Sequence, residues 1–351
     1  MKRLLNANKI NFACHHLHID KSKTISPLLL RESHVHMQEK WYLMKNIKEK
    51  YTKEELEKRM VETTTNIVNQ GCTKMRTFID IDNTIKLDAL NIALELKYYW
   101  KKNNVELQLG TQLLEGLETK ENIKLFNEAA PLVDFIGCLP SRDKCPETHL
   151  DIVFSKAKEL NKPVEAHLDQ LNIPTEKETE LFCDFVEKYN YQGKARAIHC
   201  VSLSCHPLEY QTKIAKRLHD LNIGVIICPS AAISMTQHTE YDAPIHNSIA
   251  PVKVLIDNNV NVALGIDNIE DIFMPFCDGN LEFELRLLAE STRIYNPDTL
   301  MKIATNTMGF TDNETNNHTN NHTNKNTRNS NKIIKQIKSN SFPPYDYPYI
   351  H

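Results

Sequence analysis

The 351-residue chain lacks an excess of charge of either sign: 42 lysines and arginines stand against 45 aspartates and glutamates, a formal net charge of −3. Nothing in that balance attracts a polyanion, so nucleic acid is not an expected partner. No apolar run approaches membrane-spanning length. The basic start, Met1-Lys2-Arg3-Leu4-Leu5-Asn6, is broken by asparagine and lysine before it makes the apolar stretch of a signal peptide. Cys-x-x-Cys pairs are also missing. The nine cysteines are odd in number, scattered and mostly set among apolar neighbours, which reads as buried thiols in a reducing, cytoplasmic compartment with no membrane partner.

What the chain does have is hydrophobic content of 41%, enough to bury a large core, either as one domain of about 250–300 residues or as two smaller ones. Short β-branched runs alternate with longer amphipathic ones. The expected strands are Ile10–His18, Lys74–Ile81, Glu106–Gly110, Val133–Cys138, Pro163–His167, Arg196–His199, Gly224–Cys228 and Asn261–Ile266. Between and after them the expected helices are Thr52–Asn69, with Thr52 and Glu55 at capping-box spacing, Thr84–Lys101, Lys120–Ala129, Thr148–Glu159, Lys177–Tyr189, Pro207–Leu221, Ser248–Asn258 and Asp278–Glu290. Eight such units predict an α/β protein built as a closed (β/α)8 TIM barrel, with a doubly wound open sheet as the alternative.

The most informative stretch is Cys14-His15-His16-Leu17-His18-Ile19-Asp20-Lys21. A His-x-His at the end of an apolar strand aims two neutral imidazoles at one point, which suits a divalent metal. A second His-x-His, His34-Val35-His36, lies in a charged, helix-like stretch with no strand before it, and is expected to take no part. His167, His199 and Asp267 each fall just past the end of another apolar run, at strands five, six and eight. Function in such barrels gathers at the C-terminal strand ends, so five candidate site residues there form a coincidence that scattered core histidines would not produce.

Two further segments stand apart. Thr24–Tyr51, with Leu28-Leu29-Leu30 and Trp41-Tyr42, is too long for an ordinary connection and reads either as a lid over the site or as packing on the rim. Beyond Phe310 the composition changes to an Asn-rich tract, with Asn316-Asn317-His318-Thr319 repeated at once as Asn320-Asn321-His322-Thr323. The expected division is therefore a barrel over 1–310 and a disordered low-complexity tail over 311–351.

Over about residues 12–310 the chain resembles the amidohydrolase superfamily, and within it the cytosine deaminase-like branch. The resemblance rests on seven ordered motifs. They are His16-Leu17-His18-Ile19-Asp20-Lys21, Arg76-Thr77-Phe78-Ile79-Asp80-Ile81-Asp82, Ile136-Gly137-Cys138-Leu139-Pro140, Glu165-Ala166-His167-Leu168-Asp169, Ala197-Ile198-His199, Cys228-Pro229-Ser230 and Leu264-Gly265-Ile266-Asp267-Asn268. The resemblance implies the barrel of the metal-dependent hydrolases and one divalent ion, zinc or iron. His16, His18, His167 and Asp267 would bind it, with His199 beside its water. Such an ion lowers the pKa of that water toward neutrality, Asp267 is placed to carry the proton to a leaving nitrogen, and His199 to orient the nucleophile or polarise the substrate. Val133–Pro140 contains no lysine to bridge a second ion. The other zinc deaminase signature, His-x-Glu with a downstream Pro-Cys-x-x-Cys, is absent.

The chain departs from this branch at informative positions. The glutamate that shuttles protons three residues after the strand-five histidine is Gln170, the second of two strand-eight aspartates is Asn268, and the substrate-reading glutamine before Glu115-Gly116 is Leu114, with Gln112 nearby. An amide carries no proton, so cytosine itself is disfavoured as substrate. The small β-sandwich usual in the family is expected to be largely missing. These readings predict a hydrolase of non-peptide carbon–nitrogen bonds acting on a small cyclic amide, amidine or aminated heterocycle, with Gln170, Asn268, Gln112 and Arg76 as substrate-binding residues and a homo-oligomer left open. Two rivals remain at this stage: a catalytically silent amidohydrolase-like protein that binds a metal or ligand, and a structural barrel with incidental histidines.

Overall fold

The computed structural model describes residues 10–234, 238 and 247–311. Eight parallel strands alternate with helices: β1 (Ala13–Cys14), α1 (Pro27–Glu32), α2 (Met37–Lys48), α3 (Lys53–Asn69), β2 (Lys74–Asp80), α4 (Asp88–Lys102), β3 (Glu106–Gln112), α5 (Lys120–Ala129) and β4 (Ile136–Cys138). There follow α6 (Pro146–Leu160), β5 (Val164–Leu168), α7 (Glu178–Tyr189), β6 (Ala195–His199), α8 (Leu208–Asp220), β7 (Gly224–Ile227), α9 (Pro229–Ser234), α10 (Val252–Asp257), β8 (Val262–Leu264), α11 (Leu281–Thr292) and α12 (Pro297–Ala304). The strands form two sheets, ordered β1-β2-β3 and β4-β5-β6-β7-β8. Parallel bridges pair Leu17 with Asp267 at one seam and Gly110 with Phe135 at the other, and Ile266 N donates to His16 O at 3.1 Å across the first.

Local chemistry accounts for the helix limits. Thr52 caps α3 by accepting from Glu55 N, Thr119 caps α5 in the same way, and Asn161 and Asn190 end α6 and α7 in the left-handed conformation that asparagine tolerates. The expected helix from Thr84 begins only at Asp88, because the Asp82 carboxylate accepts from Thr84 N and Ile85 N and holds a turn there instead. The first strand is shorter than expected. Regular pairing covers Ala13–Cys14, and the line continues to Leu17 by single hydrogen bonds, Phe78 N donating to Leu17 O at 2.8 Å. Among the described residues every strand belongs to these two sheets. Apart from Thr311, the expected tail of 311–351 lies outside the described residues. Seven of the nine cysteines are buried free thiols, Cys277 is half-buried and Cys145 is exposed.

The main core lies between the strands and the surrounding helices, and a smaller cluster of Phe78, Phe135, Ile198, Ile226 and Met274 fills the space inside the strands. Residues two apart on a strand share a face, so Arg76, Phe78 and Asp80 point the same way at three depths, Arg76 about 13 Å below the strand's end. Arg76, expected among the substrate-binding residues, therefore sits at the opposite end of the strands from the histidines. There it meets Glu165 at 3.3 Å and Gln108 at 2.8 Å, and Arg196 meets the same Glu165 oxygen at 2.7 Å. The segment after α12 covers that end. His15 Nε2 bonds Asn306 O at 2.7 Å, Phe310 lies 4.5 Å over the Arg76 guanidinium, and a side chain at Gly309, whose φ is +71°, would strike the Arg196 guanidinium.

One carboxyl in the core gives the fold a pH signature. Glu284 on α11 is fully buried, accepts from Ser230 N at 3.0 Å and from its hydroxyl at 2.5 Å, and is pushed by burial up to about 7. Below about 4.5 both states hold the proton; between there and 7 only the folded state does, so stability falls as pH rises through that window. Glu284→Gln, which keeps two polar partners and cannot ionise, is expected to flatten the fall by up to about 3 kcal/mol. Urea midpoints of both proteins at pH 5 and pH 8 measure it, and equal slopes would remove Glu284 from the account.

Candidate metal centre and adjoining pocket

Three strand ends and the turn after β8 bring the five expected residues together. His16 and His18 follow β1, His167 is on β5, His199 closes β6 and Asp267 follows β8. Gly265 permits the approach of β8 to β1: a Cβ there would lie 2.8 Å from both His16 Cβ and Cys228 Sγ. His199 and Asp267 have φ values of +72° and +84°, conformations costly for residues with side chains and held here by the surrounding strands.

The geometry is that of ligands around one point. Asp267 Oδ1 is 3.1 Å from His18 Nε2 and 3.3 Å from His16 Nε2, while His167 Nε2 is 3.4 Å from His18 Nε2. Ligands at about 2.1 Å from a tetrahedral ion stand about 3.4 Å apart, so these separations suit a shared ion. His16, His18 and His167 form one close group and His16, His199 and Asp267 another, and both sets are buried. His199 Nε2 stands slightly farther off, 3.6 Å from Asp267 Oδ2. Both ring nitrogens of His16 and of His199 are buried with no hydrogen-bond partner, a cost that a ligand on those nitrogens would remove. His167 Nδ1 instead meets Cys138 O at 3.3 Å, which turns Nε2 toward the group.

Electrostatics keep His18, His167 and His199 neutral and the carboxylate charged. Burial, reinforced by the Lys21 ammonium, holds His18 down to about 3, and burial holds His199 down to about 4. His167 is likewise held well below the usual range by burial and by the neighbouring histidines. Burial pushes Asp267 upward, yet the His16 and His18 ring nitrogens that face its oxygen outweigh it and keep the carboxyl well below its ordinary value. Neutral nitrogens beside an ionised oxygen are the protonation states that metal binding needs. Phe78 floors the group, its ring centre 4.9 Å from that of His16 and 4.7 Å from that of His167.

A pocket opens onto this group. His18, His167 and Asp267 line it together with Gln112, Gln170 and Asn268, the three amides expected to bind substrate. Gln112 Oε1 and Gln170 Nε2 are buried without partners, whereas Asn268 Nδ2 is engaged by Asp271. Leu114 also lines the pocket, with Leu139, Phe273 and Met274. The sequence did not single out Lys40, Met37 and Lys21 as lining residues, although the length of Thr24–Tyr51 and its Trp41-Tyr42 pair marked the segment from which the first two come. That segment folds as α1 and α2, and α2 walls the pocket with Met37, Lys40 and Trp41. His34 and His36 stay outside the metal group; His36 precedes α2 and stacks on His238 at 4.4 Å.

No family model matches the chain. It is 30% identical over 246 residues to an uncharacterised protein of Haemophilus influenzae, covering 69% of this chain and 88% of that one. It is 23% identical over 234 residues to the N-isopropylammelide isopropyl amidohydrolase of a Pseudomonas species, covering 66% of this chain and 54% of the relative, so it spans about half that enzyme's length. Among solved structures, 5-methylcytosine deaminase from Klebsiella pneumoniae bound to phosphonocytosine superimposes with a TM-score of 0.76 at 20% identity, over 84% of this chain and 73% of that one.

Proposed function

We propose that the chain is a member of the amidohydrolase superfamily, a reading supported by its likeness to an isopropylammelide amidohydrolase and by the fold it shares with 5-methylcytosine deaminase, and that it is a mononuclear metal-dependent hydrolase of carbon–nitrogen bonds other than peptide bonds. The carrying observation is the pair of overlapping buried groups that share His16. We read the eight strands as a closed (β/α)8 barrel of the metal-dependent hydrolase type, with the site at the C-terminal strand ends. His16, His18, His167 and Asp267 are the residues that would hold a zinc or iron ion, and β4, Ile136-Gly137-Cys138, offers no lysine for a second. When bound, such an ion supplies Lewis acidity, making water acidic enough to attack near neutral pH.

The chain's own residues supply the rest. Asp267 is placed to take a proton from the attacking water and hand it to the leaving nitrogen, which needs no other acid within the pocket. His199, neutral by burial, stands beside that carboxylate and offers one ring nitrogen to the group that gains charge. Gln112 Oε1 accepts and Gln170 Nε2 donates, a pair matched to the N–H and C=O edge of a cyclic amide or an aminated heterocycle. Gln170 carries no proton, which favours substrates whose ring needs no shuttle from that position. Among the described residues no helix is long and apolar enough to cross a membrane. The scattered free thiols, most of them buried, suit a reducing compartment, which supports a cytoplasmic enzyme acting on a small molecule.

Elemental analysis of the purified chain, joined to turnover against a panel of cyclic amides and aminated heterocycles, tests the reading. His199→Asn is expected to lower turnover by about 10²-fold or more while metal content stays at the parent level. Metal bound without turnover of any panel member would make the protein a silent binder, and loss of metal in the variant would make His199 an essential ligand.

A further inference from the structure

One charge in the pocket wall has no part in that chemistry. Lys40 on α2 is 8% exposed and lines the pocket beside Trp41, yet its ammonium reaches only the carbonyl of Phe273, at 3.3 Å. The two other buried lysines nearby are compensated: Lys21 lies 2.7 Å and Lys48 2.8 Å from the Asp80 carboxylate. Among the described residues no carboxylate comes within ion-pair distance of Lys40. Burial lowers its proton affinity, and the more distant Asp271 only partly restores it. An ammonium carries three donors, so two remain for something that enters the pocket, and a buried, uncompensated cation is stabilised when that something is an anion.

The rest of the lining fits an anion on a flat ring. Lys21 is paired with Asp80, so Lys40 is the one lining cation, among the described residues, without a carboxylate partner. Trp41, Leu114, Leu139 and Phe273 offer apolar surface, and the Arg142 guanidinium lies over the Trp41 ring, 5.5 Å from its centre. Resting on the hydrolase reading, we propose that the substrate is a cyclic amide or aminated heterocycle that bears a carboxylate, and that Lys40 is the residue that selects for it. The carboxylate sits at Lys40, and the ring edge at Gln112 and Gln170.

Calorimetric titration of the zinc-loaded full chain with three related rings tests this: uracil, uracil-5-carboxylate and uracil-6-carboxylate. At least one acid is expected to bind about tenfold or more tightly than uracil, a preference of about 1.4 kcal/mol. Lys40→Met should remove the preference, so that the acids and uracil bind within about twofold of one another, while Lys40→Arg keeps it. A carboxylate held by the metal instead of Lys40 would keep its preference in Lys40→Met, and that result overturns the proposal. So does a parent protein that binds neither acid better than uracil, a measurement that needs no variant to fold. Metal content and panel turnover are read separately, so failure here leaves the hydrolase reading standing.

Discussion

His167→Ala is expected to fold and to lose its metal, from about one ion per chain in the parent to less than about a tenth. Turnover should fall by about 10³-fold or more, on the order of 4 kcal/mol of barrier. His167 is one of three imidazoles in a single buried group, and its orientation is fixed through Cys138 O. Truncation leaves two imidazoles and a carboxylate around a hole that water fills, which removes both a ligand and the geometry that selects the ion. A second readout separates folding from metal loss. Added zinc should raise the melting temperature of the parent by mass action and leave that of His167→Ala unchanged. His34→Ala, altering a histidine outside the group, should match the parent in both. Parent-level metal in His167→Ala would remove the four-ligand centre from the account.

The convergence of these side chains was legible because strand periodicity locates strand ends, and parallel strands bring their C-terminal ends to one side whatever the loops do. His16, His167, His199 and Asp267 could be placed together without knowing a single distance. Arg76 shows where that logic stops. It shares a strand face with Phe78 and Asp80, but depth along the strand decides which end of the molecule such a residue serves, and Arg76 lies with Glu165 and Phe310 at the far end. The pocket wall was out of reach for another reason. Lys40 and Trp41 belong to an insertion whose docking depends on pairings between residues 32 to 59 positions apart, and no local pattern encodes such pairings.

Those pairings predict the second large effect. Lys48, near the end of α2, reaches Asp80 at 2.8 Å and also Asp82, while Lys21 reaches Asp80 at 2.7 Å and Asp20 at 3.7 Å. All five groups are buried. The two ammoniums hold Asp80 well below the ordinary carboxylate range despite its burial, and the carboxylates hold Lys48 above its own. Lys48→Met keeps most of the side-chain volume but leaves three buried carboxylates with one ammonium, and breaking such a network by removing one member costs about 3–5 kcal/mol. Urea denaturation is expected to show a loss of that size. Adding Asp82→Asn should recover part of it, because the amide oxygen still accepts from Thr84 N and Ile85 N while one uncompensated charge disappears. Since α2 carries Lys40 and Trp41 into the pocket wall, Lys48→Met should also weaken binding of the carboxylated rings more than it changes metal content. A single variant with parent stability would show that apolar packing, through Trp41, Met44 and Ile47, holds α2 without the ion pairs.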